Sequence, residues 1–139
     1  MGLIFDSSLL IAGERGRFDL AAFFQSNASE VFFMAAITAS ELLHGVERAN
    51  TTARRQKRAR FVEDLLTHIP VLDFDLTIAR RHATLWARLE KAGKIIGPHD
   101  LLIAATALEG GHSVATLNHE EFRRVPGLPL ANVKAFVIA

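Results

Sequence analysis

Four acids stand where a strand or loop is expected to hand over to a helix. Asp6 follows the apolar run Leu3-Ile4-Phe5, and Glu41 ends Thr38-Ala39-Ser40-Glu41. Asp100 lies in Gly97-Pro98-His99-Asp100-Leu101. Glu121 precedes an apolar anchor in Thr116-Leu117-Asn118-His119-Glu120-Glu121-Phe122, where spacing alone leaves Glu120 as an alternative. Each has a local explanation. Asp6 suits an N-cap, and Thr38 with Glu41 fits a capping box. Asp100 near a helix start gains a few tenths to ~1 kcal/mol from the helix dipole. The conjunction suggests more. Helix starts that follow parallel strands gather on one sheet edge, where ligands of open α/β sheets bind. Carboxylates brought together there repel and raise at least one pKa. A divalent cation removes that penalty, and an all-oxygen ligand set suits Mg²⁺ or Mn²⁺ rather than zinc. Thr116 and Asn118 are placed to hold the nearby carboxylates or a water at the metal.

Other chemistries find less support. The six histidines are scattered. Glu41-x-x-His44 matches half of a di-iron helix motif that needs a second copy, and none exists. His99 beside Asp100 reads as a loop or supporting residue rather than a ligand. Gly110-Gly111 lacks a phosphate-loop pattern, and Ser40 and Ser113 lie in no nucleophile elbow.

The elements that must position the acids alternate. Apolar runs predict strands at 3–5, 31–36, 71–74, 112–116 and 133–138. A helix begins at Asp6-Ser7-Ser8 and ends by Gly13 and Gly16. Asp19 opens a second, with Leu20, Phe23 and Phe24 as its stripe. Thr38 caps a third that runs to about Arg48, with Leu42, Leu43 and Val46 facing inward. A long basic helix spans about 53–68, carrying Phe61, Val62, Leu65 and Leu66 on one side and stopped by Pro70. Asp75 caps a helix through Ala92 with Ile78, Ala79, Leu85, Trp86 and Leu89 inward. Pro98 suits a first helical position, and that helix ends at Gly110-Gly111. Residues 118–124 form a turn or short helix. Strands alternating with helices imply a layered α/β fold with a parallel sheet. No repeat or linker interrupts it, so 1–139 reads as one domain.

The chain has 139 residues, half of them hydrophobic, which is enough for a real core. With no cysteine there is no disulfide, thiolate metal site or cysteine nucleophile, which fits a reducing compartment. Asp6 breaks the first apolar run too early for a secretory signal. No stretch approaches the roughly 20 apolar residues of a membrane span. A cytoplasmic location is therefore expected. The net charge of +1 favours no partner. Its distribution does: Arg48, Arg54, Arg55, Lys57, Arg58 and Arg60 form a basic block suited to phosphates, or simply a solvated helix face.

The chain resembles the PIN-domain nucleases, and among them the VapC-type toxins of toxin–antitoxin pairs. The residues that carry the resemblance are Leu3-Ile4-Phe5-Asp6-Ser7-Ser8, the stretch from Ile37 to Gly45 around Glu41, the stretch from Ile96 to Ala107 around Asp100, and the tail from Ala115 to Leu128. They occur in the family's order and cover essentially the whole chain. The resemblance maps the family's acids onto Asp6, Glu41 and Asp100, with its more variable fourth acid on Glu121. Its polar helpers fall on Ser7, Thr116 and Asn118. It implies a three-layer sandwich with a five-stranded parallel sheet, a homodimer, and Mg²⁺- or Mn²⁺-dependent cleavage of RNA, often in structured loops of transfer RNA. It also implies a cognate antitoxin whose C-terminal segment blocks the site. The rivals are a non-catalytic PIN-like module that binds RNA or protein, a receiver-like regulator, and cleavage of DNA by the same acids. A receiver would want a Lys near Thr116, and none lies there.

Overall fold

The first strand, β1 (Leu3–Phe5), is buried at all of its positions because both faces are covered. The computed structural model describes residues 2–139. Among them the chain continues through α1 (Ser7–Glu14), α2 (Leu20–Ser26), β2 (Phe32–Ala35), α3 (Ala36–Glu47), α4 (Thr52–His68) and β3 (Val71–Leu72). It ends with α5 (Leu76–Ala92), α6 (Pro98–Gly110), β4 (Ser113–Ala115), α7 (His119–Phe122) and a 3-10 turn at Lys134–Phe136. The sheet order is β3-β2-β1-β4, all parallel. Ile4 lies opposite Phe33 and Val114, and Phe5 opposite Met34 and Ala115.

Successive strand residues face opposite sides of the sheet, and the core divides accordingly. Leu3, Phe5 and Met34 pack with Leu9, Leu10, Phe23, Val62 and Leu65 on one side. Ile4, Ala35 and Val114 pack with Leu85, Leu89, Ile103 and Phe122 on the other. The result is the expected three-layer α/β sandwich. Phe5 anchors the first side, with ring centroids 5.9, 5.5 and 5.5 Å from Phe23, Phe24 and Phe32.

The structure departs from the sequence expectations in several places. Among the described residues the sheet has four strands, not five. Among the described residues, the edge beside β4 pairs with residues around Leu130, where Val114 donates to Pro129 O and Ala131 donates to Val114 O. Asn132 then accepts from Lys134 N and turns the chain away. Phe136 draws the last segment across to the aromatic core, 5.3 Å from Phe23. The third strand stops at Leu72 rather than Phe74, because Asp75 must turn to accept from Ile78 N and cap α5. Leu43 and Trp86, expected inward, are exposed. Among the described residues no helix is long and apolar enough to cross a membrane.

The expected capping box is also absent. Strand β2 runs into α3 without a loop, so Ala35 is the N-cap and Thr38 falls inside the helix. Thr38 is fully buried and donates from Oγ1 to Phe5 O across to β1. Glu41 is thereby released from capping and reaches toward its neighbours.

Phe5→Ala removes the ring at the centre of this aromatic cluster. The expected loss is about 3–5 kcal/mol of unfolding free energy, to be read from urea denaturation of wild type and variant.

Candidate active site

Asp6 leaves the carboxyl end of β1, and its backbone N–H donates to Ala115 O at 3.0 Å, which closes the β1–β4 pairing. It occupies the N-cap position of α1, yet its side chain makes no cap bond. Instead Ser8 Oγ and Thr116 Oγ1 both donate to Oδ2, each at 2.7 Å. The carboxylate is buried. Two hydroxyls on one oxygen leave Oδ1 without a protein donor among the described residues. Thr116 is itself fixed, since it is fully buried and accepts from Asn118 N at 2.9 Å.

Asn118 is the second organising residue. Its Nδ2 donates to Asp100 Oδ2 at 3.2 Å and to Glu121 Oε2 at 2.7 Å. Glu121 also accepts from Gly97 N. A Cβ on Gly97 would stand 3.1 Å from Glu121 Oε1, so any larger residue there would push the Glu121 carboxylate back by a few tenths of an ångström. Gly97 is in turn the N-cap of α6, whose first turn carries Asp100. On the other flank, Glu41 accepts from Ser7 Oγ at 3.2 Å and pairs with His99 Nδ1 at 3.1 Å.

The electrostatics follow from this crowding. Burial, then the charge of Asp6, then that of Glu121, push Asp100 up to about 7. Glu121 moves the other way: the Gly97 amide stabilises its charge and lowers its pKa, helped by Asn118. One member of the cluster thus holds a proton near neutrality while its neighbour stays ionised.

The expected acids therefore come together, with Asp6, Asp100 and Glu121 coupled and Glu41 alongside. Glu120 points elsewhere, exposed and 3.6 Å from Arg123. Ser7, Thr116 and Asn118 each hold an acid. Ser8 and the Gly97 amide do so too, and the sequence reading had not singled them out. Ser8 was legible only as generic N-cap chemistry, and a backbone amide leaves no trace in residue type. Among the described residues, no three Asp, Glu or His side chains already surround one ion position. What the donor set offers is a pair of nearby carboxylates, Asp6 and Asp100, with further acids behind them. That pattern fits a hydrated Mg²⁺-type cation, which keeps several waters and takes one or two protein carboxylates.

A groove of about 380 Å³ opens beside Glu41, lined by Ser7, His99, Arg15, Arg48 and Arg58 among others. The basic block is only partly available to it. Arg58 donates to Gly45 O and lies 3.5 Å from Glu14, which fixes it at the groove. Arg55 is paired with Glu47 at 2.9 Å, and Arg54 donates to Asn50; neither lines the groove.

Comparison with known proteins gives a consistent picture. The profile of the PIN domain matches residues 3–128. A protein named ribonuclease VapC1 from Rickettsia felis is 36% identical over 135 residues, covering 97% of this chain and 98% of its own. A protein named tRNA(fMet)-specific endonuclease VapC from Shigella flexneri is 33% identical over 95 residues, 68% of this chain and 70% of its own. Among solved structures, the DNA-bound VapBC complex of Salmonella typhimurium contains a chain that superposes with a TM-score of 0.85 at 27% identity. That match covers 94% of this chain and 97% of the other.

The raised pKa of Asp100 has a consequence for stability. Between the ordinary Asp value and about 7, the unfolded chain has lost this proton while the folded chain keeps it. Stability of the metal-free protein therefore falls as pH rises through that window. Asp100→Asn removes the penalty. In chelator at pH 8 the variant is expected to be more stable than wild type by about 1 kcal/mol, a figure reduced for the solvent screening of a half-exposed group. At pH 4 the gain should vanish. Equal pH dependence of the two melting curves would count against the coupling.

Proposed function

The chain belongs to the PIN-domain family, in its VapC ribonuclease branch, and we propose that it is a metal-dependent endoribonuclease whose centre is the Asp6, Glu41, Asp100 and Glu121 cluster. The observation that carries the reading is the crowding of Asp6, Asp100 and Glu121 at one sheet edge, where burial and then the charges of Asp6 and Glu121 raise Asp100 to about 7. A fold rarely keeps such mutual repulsion unless a cation or substrate group relieves it.

Asp6 and Asp100 are the residues that would hold Mg²⁺, or Mn²⁺ in its place, with Glu41 and Glu121 as further acids for ligation or water orientation. When bound, such a cation polarises the phosphoryl oxygen, favours ionisation of water and stabilises the leaving oxygen. The protein's share is positional. Ser8 and Thr116 lock Asp6 with Oδ2 satisfied and Oδ1 free of protein donors. Asn118 and Gly97 hold Glu121, and Ser7 steadies Glu41. Asp100 must lose its proton before it can ligate, so cation affinity should rise with pH through about 7.

The RNA path runs along the groove, with Arg48 and Arg58 meeting phosphates next to the acids. Arg54 and Arg55 would join only on its outer reach. The Shigella relative's name supports transfer RNA as the substrate class, and cleaving it would halt translation in the cytoplasm. The Salmonella VapBC complex supports a cognate antitoxin as protein partner, and its C-terminal segment would cover the acids. Exposed Phe74, Leu76 and Trp86 beside the apolar pocket of Ala35, Ile37, Leu72 and Leu102 supply a face for a second copy of the chain.

Purified protein incubated with labelled RNA and DNA, with and without Mg²⁺, tests the reading against a non-catalytic binding module and against a DNA nuclease. Cleavage of RNA alone, requiring Mg²⁺ and lost by at least about a hundredfold in Asp6→Asn and Asp100→Asn, is expected. Mg²⁺ should also raise the wild-type melting temperature at pH 8, and much less that of Asp100→Asn. Residual cutting by both variants would remove the acids from the chemistry. For the groove, Arg48→Glu should weaken RNA affinity and flatten its salt dependence, whereas Arg54→Glu should change little; equal losses would move the RNA path outward along α4.

A further inference from the structure

The residue ahead of Asp100 does work that its type alone does not announce. Glu41 lies on the second turn of α3, and its long side chain carries rotamer freedom that costs up to ~2 kcal/mol to fix. Each of its carboxylate oxygens meets one donor. Ser7 Oγ reaches Oε1 at 3.2 Å from the first residue of α1, and His99 Nδ1 reaches Oε2 at 3.1 Å from the first turn of α6. A carboxylate only accepts, so Nδ1 carries the hydrogen. With Ser7 alone, the carboxylate could swing about its one anchored oxygen. With both, its plane and the direction of its charge are set relative to two other helix starts.

We propose that His99 is a positioning residue that holds Glu41 in its working orientation within the acid cluster. This rests on the reading of that cluster as a nuclease centre. The local backbone suits the role. Pro98 occupies the first position of α6 with its fixed φ, so the next residue leaves the helix start in a defined direction. Nδ1 sits close to the backbone on a short, rigid ring, so the donor is placed by α6 itself rather than by a flexible stem. The pair is partly exposed, with His99 at 55% and Glu41 at 31% of side-chain surface. Such a contact contributes little to fold stability, which separates an orienting role from a structural one. His99 also lines the groove, so a direct contact with RNA through Nε2 is the competing account.

Three substitutions separate these accounts. Asn places an amide nitrogen near the position of Nδ1, Gln places one near that of Nε2, and Ala supplies neither. Cleavage of labelled RNA at saturating Mg²⁺ should show kcat lowered about tenfold in His99→Ala and His99→Gln with KM within about twofold. His99→Asn should stay within about threefold of wild type. All three should melt with the wild type to within about 0.5 kcal/mol. In the metal-free protein, nitrogen-15 NMR should detect a hydrogen on His99 Nδ1 protected from exchange, and Glu41→Ala should abolish that protection. Rescue by Gln rather than Asn, a change confined to KM, or an unprotected Nδ1 would overturn the proposal. Wild-type protein that leaves RNA intact overturns the nuclease reading and this role with it. Wild type that cuts RNA alongside an unimpaired His99→Ala overturns the role of His99 alone.

Discussion

Parallel pairing of β1 between β2 and β4 is the constraint from which the rest of the molecule follows. Because all four strands point the same way, whatever follows them emerges on one edge. Asp6 follows β1, α3 follows β2, and Thr116 follows β4. The bond from Asp6 N to Ala115 O ties the first and last of these together at the edge itself. The order of strands reverses direction around β1, so the helices on either side diverge and leave a crevice there. The aromatic core under Phe5 and the aliphatic core under Ile4 hold this register from both faces. A one-residue slip would exchange the two sets of side chains.

That geometry forces like charges together, and the protein answers mainly with neutral donors, with Arg124 adding a lesser positive charge near Glu121. Hydroxyls from Ser8 and Thr116 serve Asp6, an amide side chain serves Asp100 and Glu121, and the Gly97 amide serves Glu121 again. These groups are neutral and so leave the net negative charge in place. Asp100, half-buried between two charged neighbours, is the least compensated and carries the strain as a raised pKa. A site that is electrostatically unsatisfied in the absence of ligand spends fold stability on binding, which is a common arrangement at functional centres.

The positive charges are distributed with the same economy. Arg55 is paired with Glu47 away from the groove, while Arg48 and Arg58 line the groove that meets Glu41, Arg58 held there by Glu14 and Gly45 O. The arginines from the end of α3 through α4 thus resolve into residues at the groove and residues facing away from it. Surface pairs such as Arg55–Glu47 contribute little to stability; their effect here is to decide which cations remain available.

Much of this was legible in residue order. The alternation of apolar runs with capped helices determined the parallel α/β fold, and the acids after Phe5 and at the start of the Pro98 helix marked the edge where the carboxylates gather. Asp19, Asp75 and Pro98 set helix starts because capping and φ restriction are local, and local rules travel with the sequence. What tertiary structure decided was partnership. Asp6 in the N-cap position could cap its own helix; burial beside Thr116, more than a hundred residues on, recruited it to the cluster instead. Thr38 matched a capping box, but β2 entering α3 without a loop moved it into the core. The apolar tail at 133–138 had strand periodicity, yet the aromatic pocket around Phe23 outcompeted the sheet edge for Phe136. Glu120 and Glu121 were equivalent by spacing, and only the approach of Gly97 and Asn118 separated them. Propensity is a property of a few neighbouring residues, whereas the pairing of a carboxylate with a distant hydroxyl or amide depends on where the packed sheet brings them.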